Sequence, residues 1–345
     1  MADVESRTDV SPEERAADPV PDQDGDDPVA KTDAASAADA AERTAADGDA
    51  GRAPKTRFAL SIVIPAYNEA DAIADTVKRC LAVGEVDEVE RLEVVVVDDG
   101  SADRTGEIAA DLGATVVRHP GNGGYGRSLK DGIRAASHDT IAILDADGTY
   151  PIEDIPKLLR EYAKGLDMVV GARSGKYYRQ SIIKMPMRAV LRFLVEFTAG
   201  TRIADINSGL RVFSRGAVLP YFKRLGDTFS FTTSLTLAFL MTGKYITHVP
   251  IDYGKRIGKS KVRLFRDSLR TLQCIVHAIL YYNPIKIFLI LCAICAALAA
   301  IGFGVGHLLP WTEGHLLGVG GLLSVPFIFA LGLLAEQLRQ IMLRD

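Results

Sequence analysis

The sequence predicts an α/β domain built on a mostly parallel sheet and followed by two membrane-crossing helices. Short β-rich apolar runs alternate with helical stretches from residue 57 to about residue 255. Polar clusters recur where those runs end. Near the end of the chain, Ile287–Thr312 and Gly314–Ala335 carry no formal charge. Each exceeds the ~20 residues needed to cross a hydrocarbon core.

Residues 1–56 hold 15 acidic and 6 basic side chains, a net of -9 in a chain of net -4, so the remainder is mildly basic. The segment has no aromatic residue and no apolar periodicity, so it cannot bury enough surface to offset its ordering entropy. It is expected to be disordered. It lacks the basic start and apolar stretch of a signal peptide, so the body is expected to begin in the cytoplasm. Of the four cysteines, Cys292 and Cys295 lie in an apolar run with no His or acidic partner nearby, and Cys80 and Cys274 read as inert buried thiols.

In the body, Leu60–Ile64 reads as a strand ending at Pro65, and a helix follows over about Asp71–Leu81. Leu92–Val97 is a second strand, halted by Asp98-Asp99-Gly100, with Ser101 expected to cap a helix running to about Leu112. Thr115–Arg118 is a third strand. A Gly-rich loop then opens a helix over about Gly124–Ala136. Thr140–Leu144 is a fourth strand, closed by Asp145-Ala-Asp-Gly148, and Met168–Val170 a fifth, before Gly171-Ala-Arg173. Strands that alternate with helices and read as continuous apolar runs imply a parallel sheet covered on both faces. Ligands then bind beyond the carboxyl ends of the strands. Tyr67-Asn68-Glu69, Asp98-Asp99, Asn122-Gly-Gly and Asp145/Asp147 all fall there.

Asp145 and Asp147 are one residue apart at a strand end, where i and i+2 point the same way. Two such carboxylates repel unless a cation bridges them. Mg2+ or Mn2+, with hard oxygen ligands and substrate phosphates, fits that pair and a diphosphate leaving group.

Ile62-Val-Ile-Pro-Ala-Tyr-Asn-Glu69, Val97-Asp-Asp-Gly-Ser101, Asn122-Gly-Gly-Tyr-Gly126 and Asp145-Ala-Asp147 resemble, in order and spacing, the family 2 glycosyltransferases with the Rossmann-like GT-A fold of nucleotide-diphospho-sugar transferases. The match spans about Ser61–Lys261. Asp205-Ile-Asn-Ser-Gly-Leu-Arg211 and His248–Arg256 with Gly258–Lys261 resemble the acceptor motif and closing loop of polyprenyl-phosphate glucosyltransferases and dolichol-phosphate mannose synthases. The resemblance implies that Pro65, Tyr67, Glu69, Asp98, Asp99, Asn122, Lys130 and Asp145 bind the nucleotide-sugar. It implies that Asp145 and Asp147 hold the metal. Arg173, Arg188, Arg211, Arg256 and Lys261 are implied to bind phosphate on the acceptor side, and Asp205 to act with Arg173, Asp145 and Asp147 in catalysis, as an orienting residue or a general base. Two positions depart from the pattern: Thr149 stands where a metal-ligating Gln is common, and Phe229-Ser-Phe-Thr-Thr-Ser234 replaces a Phe-x-x-Glu.

The implied partners are a UDP- or GDP-hexose, a polyprenyl phosphate and the membrane, with Mg2+ or Mn2+ as cofactor and no nucleic acid. UDP-glucose is favoured because the two spans with the Phe-Ser-Phe-Thr-Thr pattern resemble the glucosyltransferases, with GDP-mannose as the alternative. The rivals are a processive polysaccharide synthase, against which stands Trp311 as the single tryptophan, and a non-catalytic scaffold, against which stand Asp98, Asp145 and Asp147. A two-span transporter is a weaker rival. Lys255, Arg256, Lys259, Lys261, Arg263, Arg266, Arg270 and Lys286 precede the first span and Arg339 and Arg344 follow the second, so both termini and the body are expected on the cytoplasmic side. Residues 262–284 repeat apolar side chains at helical spacing, with Arg263, Arg266 and Arg270 opposite, as in an interfacial helix. Residues 285–345 form the hairpin, which admits a homo-oligomer.

Overall fold

The computed structural model describes residues 56–175, 185–255, 264–309 and 312–342. The acidic segment 1–55 lies outside them. One seven-stranded sheet comprises β1 (Phe58–Ala66), β2 (Val89–Asp98), β3 (Thr115–Arg118), β4 (Thr140–Ile143), β5 (Met168–Ser174), β6 (Arg211–Ser214) and β7 (Ile246–Asp252). Its order is β3-β2-β1-β4-β6-β5-β7. All pairings are parallel except those of β6, which runs antiparallel to β4 and β5.

The helices are α1 (Ala70–Ala82), α2 (Thr105–Asp111), α3 (Tyr125–Ala135), α4 (Ile155–Tyr162), α5 (Met185–Ala199), α6 (Arg215–Val218), α7 (Phe231–Met241), α8 (Leu264–Tyr282), α9 (Ile285–Leu308) and α10 (Thr312–Met342). Strand alternation divides the core. Ile62, Ile64, Val94 and Val96 join Ile73 and Val77 of α1 and Leu158 and Leu159 of α4 on one face. Val63, Val95, Ile141 and Ile143 join Leu129 and Ile133 of α3 and Phe231 and Leu235 of α7 on the other. Fully burying one such side chain contributes about 1.5–3 kcal/mol, so the sheet needs cover on both faces. Gly132 lets α3 sit close, since a Cβ there would stand 2.5 Å from Val63 Cγ1.

Two strands, β6 and β7, go beyond the five that the sequence predicts. β6 begins at Arg211, the last residue of the motif Asp205–Arg211, and β7 takes in His248–Asp252, the first half of the expected closing loop His248–Arg256. The first is only four residues long, and the second is an edge strand that tolerates Pro250 because an edge residue need not donate to a ladder. Ser101 does not cap a helix. α2 begins at Thr105, and the Ser101 hydroxyl accepts the Asn68 N–H at 3.0 Å instead.

The register aligns the strand ends that matter. Ala66 pairs with Asp98, Val63 with Ile143, and Ile143 with Arg211. The turns after β1, β2 and β4 and the turn before β6 therefore share one sheet edge.

Ile275 and Ile279 of α8 are buried against Val195 of α5 and Leu237 of α7, while Leu269 and Leu280 are exposed. The helix thus spends part of its apolar stripe on the domain, and only the remainder faces outward. α9 and α10 are long and apolar enough to cross a membrane and pack along one another. Glycines set their approach: a Cβ on Gly302 would stand 2.7 Å from Gly318 N and 2.8 Å from Gly314 O. Small residues at such a contact let two backbones pack where lipid supplies no hydrophobic drive.

Candidate active site

The loops after β1 and β2 are stapled together. Asn68, with φ of 50°, accepts the Ala102 N–H on Oδ1 at 2.7 Å. The Glu69 N–H donates to Thr105 Oγ1 at 2.8 Å, and the Asp99 N–H to the Ala66 carbonyl at 2.9 Å. Pro65, Tyr67 and Glu69 are partly exposed along this edge, and Asp98 is buried, its Oδ1 accepting the Ser101 N–H at 3.0 Å.

Two residues expected to touch the nucleotide-sugar, Asp99 and Lys130, bond to the protein's own groups. Asp99 is 3 % exposed, and its carboxylate accepts the N–H groups of Gly123 at 2.8 Å and Gly124 at 2.9 Å. His119 Nδ1 lies 2.7 Å from the same carboxylate. Asp99 holds the Gly-rich loop. The next donors at the start of α3, the N–H groups of Gly126 and Arg127, go to the Asp227 carbonyl at 3.0 and 3.1 Å. A helix start can cradle phosphate only where its N–H groups point at the ligand, and these four point inward. Asn122 is exposed on this loop. Lys130 is buried, with Nζ donating to the Leu225 carbonyl and Asp227 Oδ1, both at 2.6 Å. It anchors segment 225–227.

Asp145 and Asp147 lie beyond the end of β4, in a loop and turn, so a turn and not strand alternation presents them. Asp147 is buried, and its Oδ1 accepts the Thr149 hydroxyl at 2.6 Å and N–H at 3.1 Å. Thr149 therefore braces Asp147. Asp145 is partly exposed, and its Oδ1 accepts the Tyr125 hydroxyl at 2.8 Å. Gly209, on the turn before β6, flanks it: a Cβ there would stand 2.8 Å from Asp145 Oδ1 and 3.1 Å from Tyr150 Oη. Removal from water, reinforced by Asp145, holds the Tyr125 phenol well above its ordinary value, so it stays a donor. Tyr125 and Gly209 carried no assigned role in the sequence; an aromatic inside a glycine loop was the available signal for the first.

Across the turn, Arg173 at the end of β5 grips Asp205 with two bonds, Nε to Oδ2 at 2.7 Å and Nη2 to Oδ1 at 3.0 Å. Burial raises the Asp205 carboxyl, but the Arg173 bonds outweigh it and leave it below its usual value. Asp205 is thus an ionised orienting partner of Arg173. Arg173 also lies 5.5 Å from the centre of the Tyr253 ring, which packs edge-on against Tyr150.

Arg211 is fully buried and cannot meet an acceptor phosphate. Its Nε donates to the Ser208 carbonyl at 2.8 Å, Nη1 to Thr236 Oγ1 at 2.7 Å and Nη2 to the Ile206 carbonyl at 2.7 Å. Burial pushes its guanidinium down to about 10, still charged at neutral pH. It folds the 205–211 turn onto α7. Arg256 and Lys261 lie outside the described residues, as does the side chain of Arg188 on α5.

Among the described residues, no three His, Cys, Asp or Glu side chains converge as a metal cage. Two carboxylates with hard oxygen donors suit an ion that completes its coordination with phosphate and water, as Mg2+ and Mn2+ do. The residues present fit that partial set.

The sequence profile of Glycosyl transferase family 2 matches residues 61–222. A dolichyl-phosphate hexose transferase of Haloferax volcanii is 30% identical over 225 residues, covering 64% of this chain and 94% of that protein. The chain belongs to glycosyl transferase family 2. The low-salt glycan biosynthesis hexosyltransferase Agl6 of the same organism is 32% identical over 216 residues, 61% of this chain and 51% of the relative, so the chain spans about half of that protein's length. Glucosyl-3-phosphoglycerate synthase from Mycobacterium tuberculosis, solved with Mn2+, uridine diphosphate and glucosyl-3-phosphoglycerate, superposes with a TM-score of 0.52 at 21% identity, over 64% of this chain and 80% of that one. At that identity the likeness establishes the shared GT-A fold.

Proposed function

We propose that this family 2 glycosyltransferase moves a hexose from a nucleoside-diphosphate sugar to a polyprenyl phosphate of the dolichyl type at a membrane surface. The observation that carries the reading is one sheet edge holding Asp145 and Asp147 on one side and the Asp205-oriented Arg173 on the other, with two long apolar helices following α8. The names of the Haloferax relatives support the hexose and the lipid phosphate.

When bound at Asp145 and Asp147, Mg2+ or Mn2+ would neutralise charge developing on the leaving diphosphate. The chain's own residues do the rest. Pro65, Tyr67, Glu69 and Asp98 line the edge where base and ribose would lie. Arg173, held rigid by Asp205, supplies a fixed cation for the acceptor phosphate. That phosphate is already ionised near neutral pH, so its oxygen can attack the anomeric carbon without a general base. The new C–O bond forms as the bond to the diphosphate breaks, the electron pair leaves with the diphosphate, and the anomeric centre inverts. The basic residues flanking the spans support a cytoplasmic position for the domain and both termini.

Purified protein in detergent, with polyprenyl phosphate and Mg2+ or Mn2+, is given labelled UDP-glucose or GDP-mannose in separate tubes. Label in the organic phase from UDP-glucose is the expected result. Label from GDP-mannose alone would correct the nucleotide and keep the reaction. Asp147→Ala should abolish transfer in folded, membrane-bound protein, and no transfer from any hexose donor by the wild type would overturn the reading.

A further inference from the structure

Tyr125 opens α3 and reaches Asp145 with its hydroxyl at 2.8 Å. Its ring stacks on Phe229, with centroids 5.3 Å apart and planes 22° from parallel. Phe229 is 40% exposed, so the phenyl group stays near the surface against Tyr125 when burial would be the default for such a side chain. The stretch carrying Phe229 is tied to the same helix start. The Asp227 carbonyl takes two N–H groups of α3, and Lys130 reaches the Leu225 carbonyl and the Asp227 carboxylate. Beside the same Asp145 Oδ1, Gly209 offers only a Cα, and its N–H is held by Tyr150 Oη at 2.6 Å. Asp145 Oδ1 therefore has both a hydroxyl donor and a side-chain-free backbone beside it.

We propose that Tyr125 and Phe229 form a positioning pair for Asp145, through which segment 225–230 sets the orientation of the carboxylate that serves the donor diphosphate and its metal. The inference rests on the transferase reading of Asp145. The phenol fixes the carboxylate plane by its hydrogen bond, and the stacked Phe229 fixes the phenol. Phe229 belongs to the stretch that stands in place of a Phe-x-x-Glu pattern, so this chain uses that stretch to brace the donor carboxylate through an aromatic contact. Hydrogen-bond partners of metal-ligating carboxylates commonly govern both affinity and rate.

The test measures Mn2+ binding by electron paramagnetic resonance on full-length protein in detergent, with UDP or GDP present and no lipid, alongside transfer kinetics and melting temperature. Tyr125→Phe should weaken Mn2+ binding and lower kcat by roughly 10- to 100-fold, with the melting temperature unchanged. Phe229→Ala should move both readouts the same way, and Phe229→Tyr should recover most of the loss. The double variant Tyr125→Phe/Phe229→Ala should be no worse than Tyr125→Phe alone, because both act through one hydrogen bond. Wild-type Mn2+ binding in Tyr125→Phe, or a lowered melting temperature with unchanged Mn2+ binding, overturns the positioning role while leaving the transferase reading intact. A wild-type protein that binds no Mn2+ with either nucleotide overturns the positioning role, and one that also transfers no hexose with Mg2+ or Mn2+ overturns both.

Discussion

Replacing Arg211 by methionine separates a structural guanidinium from a ligand-binding one. The side chain is fully buried and donates three bonds of 2.7–2.8 Å to Ile206, Ser208 and Thr236. Each bond from a charged donor is worth about 1.5–3 kcal/mol, and its loss strands a buried acceptor. Relief of the guanidinium's own desolvation, several kcal/mol, offsets much of this. Methionine fills similar space flexibly, so the cavity contribution is small. The net loss should be about 3 kcal/mol, at the low end of what breaking a buried ionic network costs. At roughly 2–4 °C per kcal/mol for a domain of this size, the melting midpoint should fall by about 6–12 °C. The assay is thermal unfolding in detergent at one scan rate, paired with KM for the lipid phosphate measured well below the midpoint. Wild-type melting combined with a raised acceptor KM would refute the reasoning and return Arg211 to the acceptor site.

Gly126→Ala would set a Cβ 2.2 Å from the Gly226 carbonyl oxygen and 2.9 Å from that of Thr228, so segment 226–228 must shift. It should cost about 1–3 kcal/mol of stability, read by melting. Asp205 is held below its usual value, so its contribution is present above the unfolded carboxylate range and is lost as pH falls through the lower folded value. Melting should therefore decline below about pH 4, and Asp205→Asn should flatten that limb. Gly302→Leu would press a side chain into Gly318 and Gly314 across the hairpin. It should part α9 from α10 and raise the labelling rate of Cys292, which is 9 % exposed, toward a thiol reagent in detergent several-fold.

The strands β1 to β5 were legible because buried parallel strands need continuous apolar runs, and the polar residues that interrupt those runs had to fall at one edge. The two apolar helices were legible from length and charge alone. Direction was not legible. Asp99, Lys130 and Arg211 carry the right chemistry for a sugar-phosphate site, yet the fold turns each toward a backbone group. Nothing in a residue's identity says whether its charge meets substrate or the protein's own carbonyls. Arg211 did carry a hint: it stands between Leu210 and Val212-Phe213, the surroundings of a buried strand. The role of Tyr125 was not legible, for the opposite reason. Its partner Asp145 lies 20 residues away in sequence, and only the closure of α3 against the end of β4 brings them together.

The antiparallel strand β6 has a consequence for how such an enzyme can change over time. It inserts between β4 and β5, joined to β4 by the four-residue ladder Thr140–Ile143 with Arg211–Ser214. On one side of this seam lie the loops proposed for the nucleotide; on the other lie Arg173 at the end of β5 and Asp205 in the segment before β6. Side chains cross the seam as well: Lys130 and the start of α3 hold Leu225 and Asp227, and Phe231 and Leu235 of α7 share a core with Val63 and Ile143. Changes on the two sides of the ladder are therefore coupled, and a chimera joined there should keep its stability only if segment 225–235 comes from the same parent as α3.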